Sequence, residues 1–258
     1  MRAVLWTAYG PPEVLQPGEV PTPMPKPDQV RVRVRATAVT YSDCLVRGLA
    51  VPRVVALVGR LLIGWSRPTR RRLGIVFSGD VDRVGAKVRS FQEGQPVFGL
   101  DPFGAGCYAE YKCIREAGTV AHKPGNLTHR EAAAIPYGGL LALAFLKAGA
   151  IETRRKVAIY GAAGAVGSSP VQIARHFGAE VTGLCSGRNL ELVKSLGADQ
   201  VIDYTAQDFT TMPDRYDLIF AAITPRYHPP SREQCRNVLA PEGVYVSVAR
   251  RMPKLSKE

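Results

Sequence analysis

Three glycines, three residues apart, carry the most readable chemistry in the chain. They stand in the run Tyr160-Gly161-Ala-Ala163-Gly164-Ala165-Val166-Gly167-Ser168. An apolar run, Val157 to Tyr160, precedes them and reads as a buried strand. Val166, Val171, Ile173, Ala174 and Phe177 follow at helical spacing. Strand, glycine turn and helix, in that order, let a backbone lie against a dinucleotide pyrophosphate. The free N–H groups and the positive dipole end of the helix then face the phosphates. On this reading Gly161 and Gly164 permit the turn and the close approach, and Gly167 lets the helix lie on the strand. Ala163, Ala165 and Val166 complete the same cofactor-binding turn. The spacing is G-x-x-G-x-x-G, so the motif by itself leaves an ordinary strand–turn–helix open.

Other reactive residue types give weaker signals. Cys44, Cys107, Cys113, Cys185 and Cys235 form no C-x-x-C pair and are odd in number, which fits reduced thiols in a cytoplasmic protein. His122, His129, His176 and His228 show neither metal nor triad spacing, and no G-x-S-x-G elbow marks a hydrolase. The net charge of +12 raises the question of polyanions. The densest basic run, Arg67 to Arg72, is short and has no interleaved aromatics, so a solvated loop is favoured over a site for a polyanion such as nucleic acid, an anionic membrane or a phosphorylated ligand. The chain has no 18-residue uncharged apolar run, so no membrane-spanning helix is expected. Met1 to Trp6 lacks the apolar core of a signal peptide and reads as a first strand.

Two kinds of element must position these residues. Before about residue 125 the chain gives short strands between prolines and glycines: Arg31–Ala36 in strict alternation, then 74–85, 94–99 and Tyr108–Ile114. Between them Val54, Leu57, Val58, Leu61 and Leu62 suit an amphipathic helix. It is open to two readings, a helix covering the protein as a lid or one touching a membrane surface, and the covering helix is the expectation. Thr128-His-Arg-Glu131 reads as a capping box. It starts a helix that Pro136 should break or bend, with a second helix from about Gly139 to Ala148. Strands at Val157–Tyr160, Val181–Cys185, Gln200–Asp203, Leu218–Ala222 and Val244–Val248 then alternate with helical segments, the order of a parallel sheet with crossover helices. The expected fold class is α/β: a β-rich barrel-like domain over 1–125 and a parallel-sheet nucleotide-binding domain over 126–258.

Several stretches together resemble the medium-chain dehydrogenase/reductase superfamily, in its zinc-lacking quinone oxidoreductase-like branch. They are Tyr9-Gly-Pro-Pro-Glu-Val-Leu15, Asp43-x4-Arg47-Gly48, Phe77-Ser-Gly-x-Val81, Val97-Phe-Gly99, Glu131-Ala-Ala-Ala-Ile-Pro136, the glycine turn, Ser195-Leu-Gly-Ala-Asp199 and Val201-Ile-Asp-Tyr204. The resemblance implies a GroES-like barrel domain, a Rossmann-like domain and a nicotinamide cofactor in the cleft between them. Zinc-dependent relatives carry Cys-His where this chain has Thr40-Tyr41, and Gly-His-Glu where it has Gly74-Ile75-Val76. Isoleucine and valine donate nothing to zinc, so no metal is expected. Tyr41 becomes the first candidate to orient or protonate a substrate oxygen. At the end of the second strand of the nucleotide domain, NAD-selecting relatives place an acidic residue. Here the run is Cys185-Ser186-Gly187-Arg188-Asn189. Ser186, Arg188 and Asn189 are expected to favour the 2′-phosphate of NADPH, with Tyr204 on the adenosine side.

The resemblance also exposes departures. An Asp-x-x-Gly element near the nicotinamide is replaced by Phe220-Ala-Ala-Ile-Thr-Pro225. Relatives continue into a sixth strand and return to complete the barrel domain. The chain is therefore expected to carry an open sheet edge and a weakened homodimer contact. The implied activity is reduction of a quinone, enone or similar carbonyl compound. The alternative is an impaired homologue acting as a nucleotide- or RNA-binding protein.

Overall fold

The computed structural model describes residues 1–50, 53–69, 71–153, 155–223 and 230–248. The chain divides into two compact units that meet between Pro136 and Tyr137.

In the first unit, β1 (Arg2–Trp6) pairs antiparallel with β2 (Leu15–Glu19). A five-stranded antiparallel sheet holds β3 (Gln29–Ala36), β4 (Val76–Val84), β5 (Pro96–Leu100), β6 (Tyr111–Arg115) and β7 (Thr119–His122), in the order β6-β3-β4-β5-β7. The alternation of β3 dictates its two faces. Val30 and Val32 are buried against Phe77, Val81, Val97 and Ile114. Arg31 and Arg35 point the other way and pair with Asp82 (2.6 Å) and Asp80 (2.7 Å) on β4.

Helix α1 (Tyr41–Gly48) starts from a complete capping box. Thr40 N–H and Oγ1–H donate to Asp43 Oδ2 (3.0 and 2.7 Å), and Asp43 N–H donates to Thr40 Oγ1 (3.2 Å). The other carboxylate oxygen of Asp43 accepts from Gly74 N–H (3.0 Å). Asp43 is thus a buried brace between α1 and the strand that follows.

Helix α2 (Arg53–Ile63) corrects an expectation. It is amphipathic, yet it does not lie apolar side down. Val54, Leu57, Val58, Leu61 and Leu62 are all exposed. The protein-facing contacts come from Gly59, beside Leu49, from Ile63, and from Arg60, whose guanidinium sits 5.2 Å from the Tyr9 ring centre and donates to Trp65 O (2.7 Å). Tyr9 Oη–H donates to Gly64 O (2.7 Å), so the end of the helix is held by polar bonds, one cation–π contact and the packing of Ile63 near Trp6, Leu73 and Tyr108.

Helix α3 (His129–Ala148) runs through both units and corrects a second expectation. Its capping box forms as read, with Thr128 N–H and Oγ1–H donating to Glu131 Oε2 (both 2.8 Å) and Glu131 N–H to Thr128 Oγ1 (3.3 Å). Pro136 does not split it; the helix is continuous across that residue. A proline removes one N–H and crowds the carbonyl four residues earlier. By length and composition α3 is apolar enough to cross a membrane, but it buries Ala132, Ala133, Ala142 and Leu146 within the protein.

The second unit is a parallel five-stranded sheet in the order β10-β9-β8-β11-β12. Its strands are β8 (Lys156–Tyr160), β9 (Glu180–Cys185), β10 (Gln200–Asp203), β11 (Tyr216–Ala221) and β12 (Leu239–Ser247), with α4 (Ser168–His176) and α5 (Leu190–Ser195) between the first three. These are the five strands the sequence pattern predicts. Strand β8 is central, and its alternating residues feed two cores. Val157 and Ile159 meet Leu146, Val171, Ala174 and Phe220 on the α3–α4 face. Ala158 and Tyr160 meet Leu184, Ile202, Phe209 and Ile219 on the other. A mixed α/β protein with a Rossmann-type parallel sheet and a GroES-like β domain is the fold class read from the sequence.

Candidate cofactor site

Strand β8 ends in the glycine turn. Gly161 has φ +82°, a left-handed conformation that favours glycine. Its N–H and that of Ala162 both donate to Leu184 O (2.8 and 2.9 Å), which ties the turn to β9. Gly164 N–H donates back to Gly161 O (3.0 Å), and Ser168 N–H to Gly164 O (2.9 Å), winding the chain into α4. A Cβ on Gly167 would lie 1.9 Å from Gly161 O, so only glycine lets α4 descend onto the strand at this point. The turn at Gly161 and the close helix–strand approach at Gly167 are the steric roles the spacing predicts.

The turn is open on one side. Gly164 and Ala165 are exposed, and a Cβ on Gly164 would meet only Gly161 O, at 3.3 Å. Among the described residues, the N–H groups of Ala163, Ala165, Val166 and Gly167 have no acceptor. They belong to the turn that leads into α4, with Gly167 as its N-cap. Lying beside exposed backbone, at the positive end of α4, they fit a phosphate group. The other side is closed by Ile223, just past β11, whose Cγ2 lies 2.1 Å from where a Cβ on Gly161 would stand. Ile223 belongs to the run that departs from the Asp-x-x-Gly element; Thr224 and Pro225 lie outside the described residues.

The loop after β9 is folded on itself. Asn189 Nδ2 donates to Ser186 Oγ (3.1 Å) and Asn189 N–H to Ser186 O (2.9 Å), leaving Arg188 exposed between them. Tyr204, past β10, donates its N–H to Cys185 O (3.1 Å). Its ring stacks on Tyr160, centroids 5.0 Å apart and planes at 18°. Burial, ahead of the charges around it, raises the Tyr160 phenol above its usual pKa. The glycine turn, Ser186–Asn189 and Tyr204 therefore share the carboxyl ends of three adjacent strands, where doubly wound sheets bind ligands.

Two residues of this cluster escape the sequence reading. Tyr160 is one, because its stacking on Tyr204 needs the strand order β8-β9-β10. Asp203 is the other, and it qualifies the argument about missing carboxylates. No acid follows β9 itself, but Asp203 at the end of β10 reaches the same loop. Its carboxylate accepts from Thr205 Oγ1 (2.6 Å) and Thr205 N–H (2.8 Å), and Gly187 N–H donates to it as well. These bonds, the Thr205 hydroxyl first, hold its pKa below the usual carboxylate range. The signal that could have found it is the Asp-x-Thr spacing of an Asx turn.

Tyr41 belongs to the other unit. It is the first residue of α1, partly exposed, next to the Thr40–Asp43 brace. Elsewhere in that unit Ser78 Oγ lies 2.8 Å from His129 Nδ1, and His129 Nε2 lies 3.4 Å from Asp80 Oδ1. The row looks like a hydrolase relay, but Ser78 is fully buried and donates to Val97 O (3.0 Å). It fastens β4 to the start of α3. Cys107 and Cys235 are also unsuited to nucleophilic work, since burial pushes both thiols up to about 12.

Comparison with known proteins agrees with this architecture. The family model described as alcohol dehydrogenase GroES-like domain matches residues 26–136, and that described as zinc-binding dehydrogenase matches 165–257. A 2-methylene-furan-3-one reductase of Solanum lycopersicum is 39% identical over 159 residues, covering 58% of this chain and 41% of the relative. An NADPH-dependent alkenal/one oxidoreductase, chloroplastic, of Arabidopsis thaliana is 36% identical over 163 residues, with the same coverage of 58% and 41%. The chain thus spans about two-fifths of the length of these relatives. Among solved structures, the quinone oxidoreductase of Coxiella burnetii superposes with TM-score 0.77 at 25% identity, over 98% of this chain and 84% of that one. An alcohol dehydrogenase superfamily protein of Novosphingobium aromaticivorans gives TM-score 0.79 at 27% identity, over 99% and 75%. With a GroES-like unit, a Rossmann-type unit and a glycine turn of the right geometry, the chain belongs to the medium-chain dehydrogenase/reductase superfamily, in its quinone oxidoreductase-like branch.

Proposed function

We propose that the chain acts as a zinc-independent, NADPH-dependent oxidoreductase that reduces a quinone, enone or similar electron-poor carbonyl compound. The observation that carries this reading is the glycine turn, with its run of unpartnered N–H groups beside exposed Gly164 and Ala165. A nicotinamide dinucleotide, when bound, supplies the hydride. The protein holds the pyrophosphate with the amides of Ala163, Ala165, Val166 and Gly167 and the start of α4. Ser186, Arg188 and Asn189 take the 2′-phosphate, and Tyr204, backed by Tyr160, flanks the adenosine side. Arg188 is the cation of this set, while Asp203 opposes it. Because Asp203 is tied to Thr205 and Gly187, its charge is partly spent on those donors, and the balance favours NADPH over NADH.

Zinc independence rests on what the ligand positions now hold. The Thr40 hydroxyl donates to Asp43 (2.7 Å), and Ile75 and Val76 have no donor atom for a metal. Without a Lewis acid, rate must come from placement and from a proton source near the substrate oxygen. Tyr41 is the residue we assign to that role. The names of the relatives, a methylene-furanone reductase and an alkenal/one oxidoreductase, favour a carbon conjugated to a carbonyl as the hydride acceptor.

The test is a titration with NADPH and with NADH, followed by turnover on quinone and enone substrates. The reading expects NADPH to bind at least about tenfold more tightly than NADH, and Arg188→Glu to erase that preference. An unchanged preference in Arg188→Glu refutes the phosphate assignment. Tight NADPH binding with no turnover on any quinone or enone refutes the enzymatic reading.

A further inference from the structure

Helix α2 is inside out for a soluble protein. Its apolar residues recur at Val54, Leu57, Val58, Leu61 and Leu62, and Trp65 extends the stripe just past the helix end. Such a stripe normally faces the core. Here Val54 is 74% exposed, Leu61 69%, Leu62 79% and Trp65 61%. The face that meets the protein is built instead from Gly59, Arg60 and Ile63. A contiguous apolar surface of this kind marks an interaction site rather than scattered exposure.

The surrounding charge says what kind of partner fits. Between Asp43 and Asp80 the sequence has no acidic residue, while it has seven arginines: Arg47, Arg53, Arg60, Arg67, Arg70, Arg71 and Arg72. Arg67 and Arg71 are exposed close behind Trp65. An apolar helical stripe, a tryptophan at its end and basic residues with no acid among them are the features of a helix that lies in a membrane interface. Tryptophan settles at the headgroup level, and arginines are drawn to an anionic leaflet. A second protein copy offers no such complementarity, because it would bring the same positive charge to the contact.

We propose that α2, with Trp65, Arg67 and Arg71, forms a peripheral docking surface for an anionic phospholipid bilayer. The apolar stripe enters the boundary between headgroups and acyl chains, and Arg67 and Arg71 contact lipid phosphates. This docking stands independently of the nucleotide site.

The experiment uses the whole chain with vesicles of phosphatidylcholine alone and of phosphatidylcholine with phosphatidylserine. Trp65 is a built-in probe, since the chain has two tryptophans and the other, Trp6, is 1% exposed. The proposal expects flotation with the anionic vesicles, a blue shift of tryptophan emission that Trp65→Phe removes, and binding that weakens with salt. Leu61→Asp with Leu62→Asp should cut vesicle binding at least about tenfold, and so should Arg67→Glu with Arg71→Glu. Both pairs should melt at the wild-type temperature, because all four side chains are exposed in the folded protein. Failure of the folded wild type to bind anionic vesicles overturns the proposal. So does equal binding by the Leu61/Leu62 variant, or a concentration-dependent dimer that this variant alone abolishes.

Discussion

Helices α4 and α2 carry apolar stripes of similar clarity and place them in opposite surroundings. In α4, Val171 and Ala174 are fully buried on the sheet. In α2, Leu57, Val58, Leu61 and Leu62 face out. The difference lies in what each helix is attached to. Helix α4 follows β8 through a turn that only glycine can make, and a Cβ on Gly167 would stand 1.9 Å from Gly161 O. It has one orientation available. Helix α2 is tethered by Arg60, by the bond from Tyr9 to Gly64 and by Ile63, which packs against the Trp6, Leu73 and Tyr108 cluster. A hydrophobic stripe thus tells that a helix forms; the covalent and polar ties at its ends decide which way the stripe points.

The sharpest way to break this contrast is to place the same charge on both stripes. Val171→Asp puts an unpaired carboxylate in a closed core and should cost about 4 kcal/mol or more, enough to unfold the second unit in chemical denaturation. Leu62→Asp should change stability by less than about 0.5 kcal/mol. Comparable losses in both would mean that α2 is packed, not exposed. A second substitution isolates the turn that orients α4. Gly167→Ala forces a methyl group against Gly161 O and should cost about 3 kcal/mol by urea unfolding.

A smaller effect concerns the far end of α4. Asp199 accepts from Val181 N–H (2.8 Å) and from Arg175, whose position on α4 places it beside the start of β9. The Val181 bond first, and then Arg175, lowers its pKa. A carboxylate whose folded pKa lies below the unfolded value near 3.9 contributes stability that is present above that value. That contribution is lost as pH falls through the folded pKa. Asp199→Asn should therefore flatten the stability–pH curve of the second unit below about pH 4 and leave its slope near neutrality unchanged. An unaltered acid limb would show that the interaction is screened away by solvent.

Much of the second unit was legible because its signals are local. The five strands, the glycine roles and the Thr128–Glu131 capping box each depend on residues within a few positions of one another. What could not be read depends on residues distant in sequence. Pro136 stays inside α3, a helix that buries Ala132, Ala133, Ala142 and Leu146, and that packing is not written in the residues around the proline. Tyr160 joins the candidate site only because β8 lies two strands from β10, and Asp203 because β10 ends beside the loop that follows β9. The orientation of α2 was misread for the same reason, since its tether, Tyr9, comes from another part of the chain.

The account depends most on the open side of the glycine turn, and Gly164 is the residue that separates binding from folding. A Cβ there meets only Gly161 O, at 3.3 Å, so Gly164→Leu fits the fold with a small adjustment while filling the place given to the pyrophosphate. The decisive measurement is an NADPH fluorescence titration of wild type and Gly164→Leu, with melting temperatures recorded for both. The account predicts saturable binding by wild type and at least about tenfold weaker binding by the variant, at a melting temperature within a few degrees. Wild-type protein with no affinity for NADPH or NADH, or a folded Gly164→Leu that binds as well as wild type, would contradict it.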